Sequence, residues 1–313
     1  MYARRLNVLV RLLASPADRR AAIGALAAGV SAALAMTPRF SAESKPKKCK
    51  KPNTKCGKTG CCTAGTQVCA NGKCAAACQF TKTATTWTLK SDCTTTTTIE
   101  IPDGVTLDGN GKTINLVGPI RTPFDGPGLL SAAGATTIAV RDVRLNGAGL
   151  TGSCDALSYA AIAMFAPGEI DDITIVDLPC GAGIYVQTVG EVAIRDSRID
   201  NVEVGVFANN GNVTATGNTL TNVINGFGAS SPPESVQLIA SDNTVVGRGN
   251  EGAPGLYYGP HATGSAGGNV ISNFLGTNAC GIRIDADAGA VTLGANTFPN
   301  PPGNEQNVCD LRE

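Results

Sequence analysis

The feature that most constrains this chain is a series of short, similar segments in its second half. Short strands start at Ala161-Ile162-Ala163-Met164, Gly183-Ile184-Tyr185-Val186, Gly205-Val206-Phe207-Ala208, Gly226-Phe227-Gly228-Ala229, Gly255-Leu256-Tyr257-Tyr258 and Gly281-Ile282-Arg283-Ile284. Most starts lie 21 to 29 residues apart. An alternating element follows, as in Ile173-x-Ile175-x-Asp177, Val192-x-Ile194-x-Asp196 and Val213-x-Ala215, then a polar turn and one more apolar position. Each copy therefore holds two or three short strands. One copy alone covers too little apolar area to offset the entropy of ordering it. Stacked copies solve the problem, because each strand pairs in parallel with its equivalents at about 4.8 Å and the inward side chains form columns.

Asn recurs at the polar turn, at 218, 243, 269 and 296. Stacked turns would let Asn218, Asn243, Asn269 and Asn296 form an amide ladder that satisfies backbone groups otherwise buried. The plainer reading, that Asn favours turns, holds for each residue singly but does not explain the fixed place.

Composition agrees with strands and tight turns. The 313 residues include 38 Gly and only 4% aromatics, too few for one large globular core. Lys and Arg balance Asp and Glu at 25 each, yet the basic residues crowd the first 60 positions. The rest of the chain is acidic and lacks a basic stripe, which excludes nucleic acid as a partner.

The chain divides into three parts, 1–42, 43–78 and 79–313. In the first, Arg4, Arg5, Arg11, Arg19 and Arg20 precede an uncharged stretch from Ala21 to Met36 that ends near a small-x-small site at Ala33-Leu34-Ala35. This reads as an export signal, by the general secretory or the twin-arginine route, and it is short for a membrane span. The expectation is a secreted or cell-surface protein with no stable span after processing. In the second part a Lys-rich linker leads into seven Cys between Cys49 and Cys78. That linker would attract an anionic wall polymer or simply keep the module soluble. In an exported chain the cysteines imply disulfides in a module with almost no other core, and only His261 is available to share a metal, so no metal is expected. The odd seventh Cys, Cys78, is expected to pair with Cys93 and tie the module to the body. Bridges Cys154–Cys180 and Cys280–Cys309 are expected within the body, the second pinning the tail over the last coil.

The segment from Asp92-Cys93 to Ile114, and above all Ile101-Pro102-Asp103-Gly104-Val105-Thr106-Leu107-Asp108-Gly109-Asn110-Gly111-Lys112-Thr113-Ile114, resembles the opening coil of the pectin-lyase-like right-handed β-helix family. The repeats behind it resemble that family's generic coils. The resemblance covers roughly residues 80 to 300 and implies an all-β, right-handed parallel β-helix solenoid with a substrate groove along the sheet formed by the strands given first above. It is specific for fold and not for activity.

Alternation places the centre of each of those strands outward. The outward column then reads Ala163, Tyr185, Phe207, Gly228, Tyr257, Arg283, with Phe165, Gln187, Asn209, Ser230, Gly259, Asp285 beside it. Tyr185, Gln187, Phe207, Asn209, Tyr257 and Arg283 are the ligand-binding candidates, because sugar rings stack on aromatic faces while their edges hydrogen-bond. The competing reading buries the rings beneath loops such as Leu150 to Tyr159. Asp171, Asp172, His261 and Asp285 are the catalytic candidates, the first three on loops expected to overhang the column together with Asp287. A glycosidase needs two carboxylates about 5 to 9.5 Å apart, and the two columns contain only Asp285. Asp171-Asp172 resembles the paired acids of polygalacturonase-like enzymes, but the downstream His and basic motifs are absent, and a turn is the commoner use of such a pair. Arg141-Asp142 and Arg195-Asp196 fit surface ion pairs at a coil corner.

The expected partner is a polysaccharide or cell-wall glycan. The expected function is a carbohydrate-associated role, as a lyase or hydrolase along the aromatic column, or alternatively as a non-catalytic glycan-binding or structural surface protein. No cofactor is expected, and Ca2+ enters only on the lyase reading.

Overall fold

A computed structural model describes residues 49–57, 60–120, 126–132, 134–152, 159–178, 180–231, 234–249, 252–299 and 303–312. The segment expected to be an export signal lies outside the described residues. No helix among those described is long and apolar enough to cross a membrane.

The body is a parallel β-helix with three faces, right-handed as crossovers between parallel strands are. Face A is a sheet of nine strands, from Thr98–Ile101 through Gly128–Ser131, Ala160–Met164, Ala182–Val186, Val204–Ala208, Asn225–Ala229, Leu256–Tyr258 and Cys280–Ile284 to Gln306–Asp310. Faces B and C form one hydrogen-bonded network, joined by the corner-turning strands Thr106–Pro119 and Ile138–Thr151. In the middle coils the chain runs B, C, A, as in Glu191–Arg195, Arg198–Asp200 and Val204–Ala208. Equivalent residues pair in register, as in Ile184 with Val206 and Ile199 with Leu220.

The interior is a stack of aliphatic columns. Ile114, Leu145, Ile175, Ile199, Leu220, Val245 and Ile271 line face C, and Val140, Ile170, Ile194, Ala215 and Ala240 line face B, all at most 1% exposed. No large aromatic core is needed, because each coil buries its apolar residues against the coils on either side.

The glycines that open the face A strands stand over one another for a steric reason. A Cβ at Gly205 would lie 2.4 Å from Leu220 Cδ2, at Gly226 2.5 Å from Val245 Cγ1, and at Gly255 2.6 Å from Ile271 Cγ2. The face C column fills the inner corner, so only hydrogen fits there. At the corner between B and C, Asp142, Asp172, Asp196 and Asp242 take φ of 48°, 48°, 47° and 56°, the left-handed region that Asp tolerates.

The four Asn form one ladder, buried at Asn218, Asn243 and Asn269 and partly buried at Asn296. Asn218 Nδ2 donates to Asn243 Oδ1 (2.9 Å), Asn243 Nδ2 to Asn269 Oδ1 (3.0 Å) and Asn269 Nδ2 to Asn296 Oδ1 (2.9 Å). Each of these oxygens also accepts the backbone N–H of the Asn one coil before it. Ser197 continues the ladder, donating its N–H to Asn218 Oδ1 and accepting at Oγ from Ile173 N.

The N-terminal module consists of two small hairpins, Thr54–Cys56 with Gly60–Cys62 and Gln67–Ala70 with Lys73–Ala76. Disulfides Cys49–Cys61, Cys56–Cys69 and Cys62–Cys74 hold it. Cys78–Cys93 links it to the first coil, and Cys280–Cys309 joins adjacent face A strands at the other end. Cys180 is disulfide-bonded, and Cys154 lies outside the described residues.

Replacing Asn243 by Ala removes two donated bonds and leaves both the N–H and the side-chain amide of Asn218 without their shared acceptor. Urea denaturation should show a loss of about 3 kcal/mol.

Candidate functional site

Face A presents two outward columns. Leu130, Ala163, Tyr185, Phe207, Gly228, Tyr257 and Arg283 occupy successive coils of the first. Phe165, Gln187, Asn209, Ser230, Gly259 and Asp285 follow two residues later, and the backbone bonds Gln187 N to Met164 O, Asn209 N to Val186 O and Ser230 N to Ala208 O carry the register on.

The rings are not a row open to solvent. Tyr185 is 0% and Phe207 6% exposed, with centroids 6.3 Å apart in a stacked arrangement. Both join Ala160, Ala163, Ala182 and Val204 in a second apolar cluster outside the coil, against which Leu130 and Phe165 pack. Strict alternation misses this because Gly183 and Ile184 both face the interior, so that Ala182 and Tyr185, three residues apart, both face outward, as Val204 and Phe207 do in the next coil. Each such strand therefore supplies two apolar positions to the cluster, and together they bury the rings.

Further along, the column opens. Tyr257 is half-buried, and its ring lies across two glycines: a Cβ at Gly259 would stand 2.8 Å from its OH and one at Gly228 3.8 Å from its Cδ1. Its hydroxyl donates to Asp285 Oδ2 at 2.7 Å, and Arg283 Nε donates to Asp285 Oδ1 at 2.8 Å. Arg283 and Asp285 are 25% and 19% exposed at their side chains. The result is a fixed ring beside a half-open charged pair. Among the buried aromatics the polar edge is Asn209 Nδ2, which donates to Tyr185 OH (2.7 Å), while Tyr185 OH donates to Gln187 Oε1 (3.3 Å). Between the two groups Ser230 Oγ is fully buried with no hydrogen-bond partner among the described residues.

The catalytic candidates separate. His261 sits in a left-handed turn (φ 61°) just beyond Tyr257, and its N–H donates to Asp287 O at 2.9 Å, so His261, Asp287 and Asp285 share the corner between A and B. Asp171 and Asp172 do not overhang the columns. Asp171 ends the strand Gly168–Asp171 of face B, and Asp172 forms the exposed turn between B and C, the use that its left-handed backbone requires. Arg141 pairs with Asp108 at 2.9 Å and Arg195 with Glu169 at 3.5 Å, surface ion pairs between neighbouring coils. The sulfurs of Cys56, Cys62 and Cys74 cluster, but all three are in disulfides and offer no thiolate to a metal.

Residues whose part was not evident from sequence are Ser197 and a second, exposed ladder at the corner between C and A. There Asn201 Nδ2 donates to Asp177 Oδ1 (2.9 Å) and Asn222 Nδ2 to Asn201 Oδ1 (3.0 Å). Their spacing of 24 and 21 residues is the signal that would have found them.

The fold places this chain among parallel β-helix proteins. No protein-family model and no curated relative matches it. Among solved structures it is similar to the A-module of the mannuronan C-5 epimerase AlgE4 of Azotobacter vinelandii, at 14% identity over 71% of this chain and 86% of that one with a TM-score of 0.28. The A-module of AlgE6 from the same organism gives 12% identity over 72% and 85%, with a TM-score of 0.29. The periplasmic alginate epimerase AlgG gives 14% over 68% and 70%, with a TM-score of 0.28. At such scores these likenesses add nothing to the account of the site, which rests on strand register and side-chain contacts.

Two predictions follow from the burial of the tyrosines. Tyr185→Ala should lower stability by about 3 to 5 kcal/mol in urea denaturation, the cost of emptying a buried aromatic site. Burial raises the hydroxyl pKa of Tyr159, Tyr257 and Tyr258, with Asp285 adding to the rise at Tyr257. A raised folded value means that their contribution is complete below the unfolded pKa near 10 and is lost as pH climbs above it. Melting temperature should therefore fall above about pH 10, less steeply in Tyr257→Phe.

Proposed function

We propose that this is an exported protein with a carbohydrate-associated role, which binds a glycan on the outer side of face A at its later coils. The supporting observation is the Tyr257–Asp285–Arg283 group: a ring oriented by its hydroxyl bond (2.7 Å), beside a carboxylate and a guanidinium 2.8 Å apart. A pyranose offers an apolar C–H face to such a ring and hydroxyls to the flanking acceptor and donor. Gln187 and Asn209, both half-buried, continue the polar edge toward the earlier coils. The disulfides fit an oxidising compartment outside the cytosol.

Binding is favoured over hydrolysis because Asp285 is the carboxylate beside Tyr257 and is already engaged by Tyr257 and Arg283, while Glu100, in register with Leu130, stands at the opposite end of the column, coils away from Asp285. Hydrolase or lyase chemistry is the second reading, motivated by the juxtaposition of His261, Asp287 and Asp285 at one corner.

The test is retention of the protein on immobilised acidic and neutral polysaccharides, with and without Ca2+, together with assays for reducing ends and unsaturated products. Retention without product is expected, and Tyr257→Ala should weaken it about tenfold or more while keeping the β-sheet circular dichroism of the parent. Product release would move the reading to catalysis. Retention on no polysaccharide, or undiminished retention of Tyr257→Ala, would reject this surface as a glycan site.

A further inference from the structure

The corner where face C passes into face A holds a hollow of about 220 Å³ that shares no lining residue with the Tyr257 group. Its floor is apolar, made by Gly147, Leu150 and Leu178, the two leucines being 7% and 2% exposed. A Cβ at Gly147 would stand 2.4 Å from Leu178 Cδ2, so glycine is what lets the floor close. The rim is polar and charged: Asp177, Asn201 and Arg248.

Arg248 reaches back across two coils. Its Nε and Nη2 donate to Asn222 O (3.3 and 3.2 Å), and Nη2 also donates to Val202 O (3.1 Å). These are carbonyl groups, so they hold the guanidinium in place without neutralising it, and Nη1 has no partner among the described residues. Asp177 accepts an amide from Asn201 and forms no ion pair among the described residues, and neither does Arg248. One anion and one cation thus line the same hollow without compensating each other. Asp177 lies one coil before Asn201, which Arg248 touches, so the charges stand one to two coil spacings apart, roughly 5 to 10 Å.

We propose that this hollow binds a small zwitterion of the α-amino acid type. The ammonium pairs with the Asp177 carboxylate, the carboxylate with Arg248 Nη1, and an aliphatic side chain covers Leu150 and Leu178. A simple anion would meet Asp177, and a simple cation would meet Arg248, whereas a zwitterion satisfies both. Two charge-assisted contacts of about 2.8 Å with a short ligand between them fill the available span. Closure of the hollow by an Asp177–Arg248 pair would cost the guanidinium its bonds to the backbone of two coils.

The experiment is titration of the full chain with L-leucine, followed by calorimetry or NMR, beside N-acetyl-L-leucine, which lacks the ammonium, and L-leucinamide, which lacks the carboxylate. Saturable binding of leucine is expected, with each capped analogue about tenfold weaker or more. Asp177→Asn keeps an acceptor for Asn201 and so keeps the fold, and it should weaken leucine by a similar factor without further weakening N-acetyl-L-leucine. Arg248→Gln should do the converse with leucinamide. Absence of saturable leucine binding overturns the proposal. So does equal binding of all three probes, which marks an apolar contact only, or an unchanged affinity in Asp177→Asn.

Discussion

Register between successive coils is the constraint on which everything else in this molecule depends. Apart from the antiparallel pair Phe80–Lys82 and Thr86–Leu89 at the N-terminal end, the described strands of faces A, B and C find their hydrogen-bond partners in neighbouring coils, not in their own. No coil can therefore satisfy its backbone or bury its apolar side chains alone. Stability is shared along the axis, and a residue type that suits one coil suits the same place in the next. Aliphatic columns, glycine at the inner corner and buried Asn at the turn are three expressions of that one condition.

The Asn ladder shows how a polar group becomes part of such a core. Asn218, Asn243 and Asn269 are at most 1% exposed, yet each amide meets donors and acceptors from adjoining coils. A chain turning sharply inside a stack leaves N–H and C=O groups away from water, and a side-chain amide repeated at the coil spacing supplies what water would have supplied. The exposed ladder of Asp177, Asn201 and Asn222 has the same geometry without the burial. It leaves its edge available to solvent, which is why a hollow with unpaired charge can form there.

Face A combines structural and exposed uses of the same aromatic column. In the middle coils Tyr185 and Phe207 are packed into a second apolar cluster, and the polar atoms of Tyr185 are taken up by Gln187 and Asn209. Two coils on, glycine at 228 and 259 leaves room for Tyr257 to lie flat, and Asp285 and Arg283 fix it. One column thus changes from core to surface within a few coils, because small residues replace large ones beside it.

The repeat was legible in the sequence because it is written in local pattern. Ile-x-Ile spacing, glycine at the strand starts and Asn before the last apolar position all report a periodic neighbour, and period alone is enough to stack coils. Charge along the chain was legible too, and with it the expectation that Arg141 and Arg195 serve ion pairs. What the sequence by itself determined was thus the stacking axis and which residues share a column. Only the tertiary structure decided which outward residues meet solvent, since that depends on the glycine that interrupts alternation at 183 and 205 and on what packs across Tyr185. It also decided where Asp171 and Asp172 point and which distant residues Arg248 joins to Asp177, because corners rotate the chain by amounts that no pattern of apolar and polar residues records.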